Sequence, residues 1–167
     1  MLPRVTEILK AAGMIDASHF TDFARERGTA VHMATAYNDL FTLDETTVDP
    51  IILPYLEEWR HWKIQHQVHV LKVEQEIVDE TLGYVGHYDR IVMLNGDEWL
   101  IDIKCGAAAP WHAIQLAAYD NGQGRKRGCV YINPPSLKLT PYTDRADWSV
   151  FRAALSLYHW RRQCNLL

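Results

Sequence analysis

A chain of 167 residues, 48% of them hydrophobic and six of them tryptophan, has the length and apolar content for one domain with a substantial core, and not for a disordered protein. No apolar run approaches the roughly 20 residues of a membrane span, the first seven residues lack the apolar stretch of a secretory signal, and three scattered cysteines argue against a disulfide framework. The net charge of −4 speaks against a broadly basic surface for nucleic acid, although carboxylates gathered for a metal would lower that sum by themselves.

Thr6 is placed to cap a first short helix over 7–12, closed by Gly13. A second helical stretch is expected over 18–40, with Gly28 as a point of interruption, then a Thr- and Asp-rich loop over 41–50. Ile52, Tyr55, Leu56, Trp59 and Ile64 keep a helical period across 51–67. β-Branched residues and alternation then predict strands over 68–78, 84–94 and 99–104, with Asn95-Gly96 as the tight hairpin turn. A small-residue loop over 106–110 precedes a helix over 111–120, with Pro110 in its first turn and Asn121-Gly122 at its end. A strand over 128–132, an Asn133-Pro134-Pro135 turn and a short peripheral strand over 137–142 follow. Asp144 or Asp147 caps a last helix in which Trp148, Phe151, Leu155 and Tyr158 keep helical spacing.

This order predicts the α/β class, a mixed sheet flanked by helices. The hairpin makes part of it antiparallel, and the helical crossover after Lys104 permits a parallel pair. One domain is expected, with a helical part over 1–67, a sheet core over 68–142 carrying the helix over 110–121, and a terminal helix over 143–167.

The chemistry concentrates at Ile101-Asp102-Ile103-Lys104. Strand alternation puts Asp102 and Lys104 on one face while Ile101 and Ile103 bury on the other. A carboxylate and an ammonium side by side at a strand end can bind a hard cation and orient a water, and Asp89 supplies a second carboxylate if its strand is adjacent. Asp89 and Asp102 both sit inside apolar strands, where a carboxylate is costly without a partner. An Asp102–Lys104 salt bridge would explain Lys104 but leave Asp89 unaccounted for.

Five elements in order carry a family likeness: Gly28-Thr29-Ala30-Val31-His32, Glu74, Gly86 to Asp89, Asp102-Ile103-Lys104, and Gln115-Leu116-Ala117-Ala118-Tyr119. Across 25–120 the chain resembles the PD-(D/E)XK nuclease superfamily, within it the RecB-like exonuclease group, and the stretch 74–86 is similar to mitochondrial genome maintenance exonucleases. The resemblance implies a restriction-endonuclease-like fold and a Mg²⁺- or Mn²⁺-dependent DNA nuclease, an exonuclease on single strands or DNA ends. It implies His32, Asp89, Asp102 and the Ile103 carbonyl as metal ligands, Glu74 as a further catalytic acid, and Lys104 positioning or deprotonating the attacking water. Imidazole suits Mn²⁺ better than Mg²⁺. Gln115 and Tyr119, four apart on one helix face, would contact DNA or support the ligands. Periodicity puts Glu74 and Glu76 on the same face and leaves the choice open; the resemblance favours Glu74.

Arg25 and Arg27 are either phosphate contacts beside His32 or solvated helix charge, and Arg125-Lys126-Arg127 carries the same alternatives. Gly28 would let its helix approach another backbone closely. Cys105 stands where the family commonly has Thr or Ser and would add redox sensitivity; three scattered cysteines do not hold the iron–sulfur cluster of some relatives, so none is expected. His61, His66 and His69 span a helix-to-strand junction without cysteine partners, which argues against zinc. With no Walker lysine loop, any helicase or recombination partner is a separate protein. A cytoplasmic setting in a bacterium or phage-infected cell, with a role in DNA repair or recombination, completes the expectation. The rivals are a structure-selective endonuclease such as a resolvase, and a catalytically silent nucleic-acid-binding module on the same fold.

Overall fold

The computed structural model describes residues 1–16 and 21–167. Along the chain run α1 (Val5–Ala11), α2 (Asp22–Asp39), a 3₁₀ turn (Glu45–Thr47), α3 (Leu53–Gln65), β1 (His69–Asp79), β2 (Tyr84–Leu94), β3 (Asp97–Lys104), α4 (Trp111–Asp120), β4 (Lys126–Asn133), β5 (Ser136–Pro141) and α5 (Ala146–Gln163). The strands form one sheet in the order β1-β2-β3-β4-β5, antiparallel except for the parallel β3–β4 pair that the α4 crossover makes possible. The expected mixed α/β class is the observed one. No helix among the described residues is long and apolar enough to cross a membrane.

Two apolar layers hold the sheet. On one face α1, α4 and α5 bury Ile8, Leu9, Leu116 and Phe151 against Tyr84, Tyr88 and Leu100. On the other, α2 and α3 bury Val31, Trp59 and Trp62 against Val92, Ile101, Ile103 and Val130. Leu100, Cys129 and Tyr131 thus face α4 while Ile101, Ile103, Val130 and Ile132 face α2 and α3, the strict alternation of a two-sided sheet.

Local signals explain most boundaries. Asn95 and Gly96 both take positive φ, +53° and +80°, the left-handed pair of a two-residue hairpin whose twist matches the strands. Asn121 and Gly122 do the same at the end of α4, with φ of +49° and +71°. Thr21 caps α2, its hydroxyl accepting from Ala24 N at 3.2 Å; neither Asp144 nor Asp147 caps α5, whose N-cap is Arg145, although Asp144 just before it accepts from Ala146 N at 2.8 Å. Thr6 does not cap α1. The Pro3 carbonyl accepts from Val85 N at 3.0 Å, which holds Arg4 extended beside β2, so the helix starts at Val5 with Arg4 N donating to Glu7 Oε2 at 2.8 Å.

The expected helix over 18–40 is observed as α2, continuous through Gly28; residues 18–20 lie outside the described residues. Nor does Gly28 serve a close approach, since a Cβ there would meet nothing within 4 Å among the described residues. Gly86 is the opposite case: a Cβ would sit 2.8 Å from Tyr119 Cδ1 and 3.0 Å from Ile77 Cγ1. Its missing side chain is the space into which the Tyr119 ring packs. Accordingly Gly28→Ala should raise stability by about 0.5–1 kcal/mol through helix propensity, and Gly86→Ala should lower it by about 1–3 kcal/mol through overpacking. Urea unfolding of the two variants checks both signs.

Candidate metal centre

The sheet shifts register between Val70 and Lys72 in β1 and breaks its pattern again further along β1 and β2. In β2, Tyr84 and Tyr88 belong to the layer under α4 and α5, whereas Val92 and Leu94 belong to the layer under α3. The even-numbered residues therefore change sides of the sheet between Tyr88 and Arg90, at Asp89. In β1 the neighbours Val73↔Arg90 and Gln75↔Tyr88 pair normally, and Glu74 between them has φ of +47°, a left-handed conformation unusual for a residue with a side chain. The β2–β3 ladder ends at Arg90↔Ile101. Beyond it the Asp89 carboxylate takes the place of a strand partner, accepting from Ile103 N at 2.6 Å. The N–H and C=O of one residue leave the same edge of an extended strand, so the Ile103 carbonyl faces this gap too.

His32, Glu74 and Asp89 meet here, each offering one ligand atom, and these atoms lie within 4.8 Å of one another. His32 comes from α2, with Nδ1 3.3 Å from Asp89 Oδ2. Glu74 accepts from Arg90 Nη1 at 2.8 Å and its other oxygen lies 2.9 Å from His87 Nε2. The kink at Glu74 defeats the alternation that would equate it with Glu76; Glu76 is exposed and lies with Arg4 and Val85. Asp102 stands beside the trio, its Oδ2 in an ion pair 2.6 Å from Lys104 Nζ. Lys104 also donates to Gln115 Oε1 at 3.0 Å, and Gln115 Nε2 donates to the Tyr119 hydroxyl at 2.8 Å. Gln115 and Tyr119 are both buried, so this helical pair fixes the lysine and is not a solvent-facing face.

The charges are strongly coupled. Burial alone would discharge His32, but the Asp89 carboxylate, with Asp102 behind it, outweighs burial and lifts the imidazole from 6.5 to about 9. Asp89 is held at about 2 in spite of its burial, because His32, Lys104 and the Ile103 N–H favour its ionised form. Burial pushes Asp102 up to about 6, the Asp89 charge adding to the effect and Lys104 opposing it. Burial likewise works against Lys104, but Asp102 and Asp89 hold it above its ordinary value, so it stays an ammonium at neutral pH.

An imidazole with two carboxylates is a donor set for a divalent ion. Buried Asp102 adds a third carboxylate beside them, its Oδ2 held in the ion pair with Lys104. In the protein alone, the His32 proton and the Arg90 guanidinium neutralise the carboxylates that a cation would otherwise satisfy. The group opens on a cavity of about 960 Å³ lined by Gly28, Met33, Tyr37, Leu40 and Lys104.

Other candidates fall elsewhere. Arg25 lines the same cavity and lies 3.6 Å from Asp22. Arg27 donates to the Cys105 carbonyl at 3.2 Å and stacks on Phe23 and Tyr55, tying α2 to the loop after β3. Arg125, Lys126 and Arg127 lie at the far end of β3, where Lys126 is level with Trp99, roughly 17 Å from Lys104 at about 3.3 Å per residue. Each meets a carboxylate: Glu98 at 2.5 Å, Asp97 at 2.5 Å and Asp147 at 3.1 Å. Burial pushes the Cys105 thiol up to about 11, which makes it a poor thiolate and removes the ground for redox sensitivity. His61, His66 and His69 are all exposed and join no three-residue ligand group among the described residues. Sequence reasoning passed over Arg90, Thr35, Asp39, Trp111 and His112. Trp111 lies under the Lys104 ammonium, 5.3 Å from Nζ to ring centre. His112 bonds the Tyr131 hydroxyl at 2.6 Å, and burial with the Lys104 charge pushes it down to about 3, so it stays neutral.

No family model matches the chain, and no curated protein matches it in sequence. The crystal structure of LHK-Exo in complex with dAMP matches with a TM-score of 0.52 at 15% identity, over 98% of this chain and 93% of that one. The two share a fold. A second structure, of an alkaline exonuclease (LHK-Exo) from Laribacter hongkongensis, matches with a TM-score of 0.47 at 18% identity over 98% and 94% of the chains. SSO0001 matches with a TM-score of 0.40 at 18% identity over 91% and 81%.

His32 titrates higher in the fold than free in solution, so its charge contributes stability that is complete below pH 6.5 and lost as pH rises through about 9. In metal-free protein the urea midpoint should fall between pH 6 and pH 9.5, by on the order of 3 kcal/mol in stability. His32→Gln should remove most of that fall.

Proposed function

We propose that the protein is a divalent-metal-dependent deoxyribonuclease of the PD-(D/E)XK type, in the RecB-like exonuclease group, acting on unpaired strands or strand ends. The observation that carries this reading is the meeting of His32, Glu74 and Asp89 within 4.8 Å at the mouth of a large cavity, with Asp102 and Lys104 alongside. The fold shared with LHK-Exo, a protein crystallised with dAMP, agrees with it.

His32, Glu74 and Asp89 would hold the ion, Mg²⁺ or Mn²⁺, with Asp102 and the Ile103 carbonyl completing its shell. Bound there, such an ion supplies Lewis acidity to a water and offsets the charge of the scissile phosphate. Lys104, held as an ammonium by Asp102 and Asp89 in the metal-free protein, would donate hydrogen bonds and stabilise negative charge on the phosphorane oxygens. Gln115 and Trp111 keep that ammonium aimed. Water attack at phosphorus, with one of the water's protons passing through solvent to the departing 3′ oxygen, would leave a 3′-hydroxyl and a 5′-phosphate.

The wall of the cavity favours an unpaired strand. Met33 and Tyr37 on the solvent side of α2, and Leu40 at its C-cap, are exposed by 50%, 44% and 52%, while Val31, Ala34 and Thr35 fill the inner side of the helix. A duplex presents charged phosphates to such a ledge; free bases present flat apolar faces that stack on it.

Labelled single- and double-stranded DNA incubated with Mg²⁺ or Mn²⁺ tests the reading. Single strands should be degraded, Lys104→Ala and Asp89→Asn should each cost at least about 100-fold in kcat, and Tyr37→Ala should raise KM for single strands far more than it lowers kcat. DNA left intact under both metals, or undiminished hydrolysis by Lys104→Ala, would contradict it.

A further inference from the structure

Arg90 is wholly buried in a strand whose next two residues are Ile91 and Val92. A buried guanidinium is costly unless every part of it is paired, and an apolar side chain would serve the core as well. Its bonds reach far beyond the core. Nε donates to Asp39 Oδ2 at 2.7 Å. Nη1 donates to Glu74 Oε1 at 2.8 Å and to the Asp89 carbonyl at 2.7 Å. Nη2 donates to the Thr35 hydroxyl at 3.2 Å, and that hydroxyl donates in turn to the carbonyls of Val31 at 2.9 Å and His32 at 3.0 Å. One planar fork therefore touches the side chain of Glu74, the backbone of Asp89 and the helical turn that carries His32. Asp39, with its side chain fully buried, seats the fork; it also accepts from Trp59 Nε1 at 3.0 Å and pairs with Lys63.

The geometry points to Arg90 as the positioning residue of the metal centre: seated on Asp39, it sets the spacing of His32, Glu74 and Asp89, and thereby the affinity of the site for a divalent ion it never touches. This rests on the metal reading proposed above. A guanidinium is required because its donors leave in fixed directions in one plane; an ammonium keeps the charge and loses the fork. Lys63 provides the contrast, since it binds the same Asp39 but touches none of the three ligands.

Calorimetric titration of the full chain with MnCl₂, at a temperature where circular dichroism finds each variant folded, separates positioning from mere stability. Arg90→Lys should weaken Mn²⁺ binding tenfold or more. Lys63→Met should lower Tm while leaving the Mn²⁺ Kd within twofold. If Arg90→Lys does not fold, Thr35→Val, which removes one bond of the fork, should still weaken binding severalfold. A folded Arg90→Lys, or failing that Thr35→Val, with the Kd of the natural protein overturns the inference alone. A natural protein that takes up no Mn²⁺ overturns it together with the metal reading.

Discussion

Everything at this site depends on a local failure of β-sheet regularity. Where Glu74 takes its left-handed turn and β2 changes sides, β3 can no longer follow, and a gap opens between the inner strands β2 and β3 with Asp89 bonded across it to Ile103. A regular ladder would have used the same backbone groups on itself. Strain of this kind persists only where the surroundings over-determine it. Here the Arg90 fork and the Asp89–Ile103 bond do so.

The second constraint is charge. Asp89 and Asp102 are buried within reach of each other, and two like charges in such a place are unstable without cations. The protein divides the task. His32, held protonated, faces Asp89; Lys104 faces Asp102; Arg90 faces Glu74. Only the lysine and the arginine are permanent in this arrangement. The imidazole charge, by contrast, is lost as pH rises through about 9.

Much of this architecture could be read from the chain itself. The hairpin turn at Asn95-Gly96, the bounds of β2 and of α4, and the pairing of Asp102 with Lys104 follow from local chemistry, because each depends on neighbours a few residues away. Helix α2 ran through Gly28 where a break was expected, since a single glycine costs a helix little when its faces are buried. Thr6 lost the cap because Pro3 is tied to Val85, a contact made across the sheet. Alternation failed at Glu74 for the same kind of reason: a period of two presumes an unbroken ladder. Arg90 escaped notice as a site residue because its partners Asp39 and Thr35 lie 51 and 55 positions away. A charge inside an apolar strand was nevertheless a signal of the same kind that marked Asp89.

The most direct test of the account is a crystal soaked in Mn²⁺ and measured at the manganese absorption edge. The account predicts one anomalous peak enclosed by His32, Glu74 and Asp89, with the Glu74 carboxylate turned from His87 toward it. A peak bound elsewhere, or a fully ordered site in which the three side chains keep their present partners and no ion enters, would contradict it.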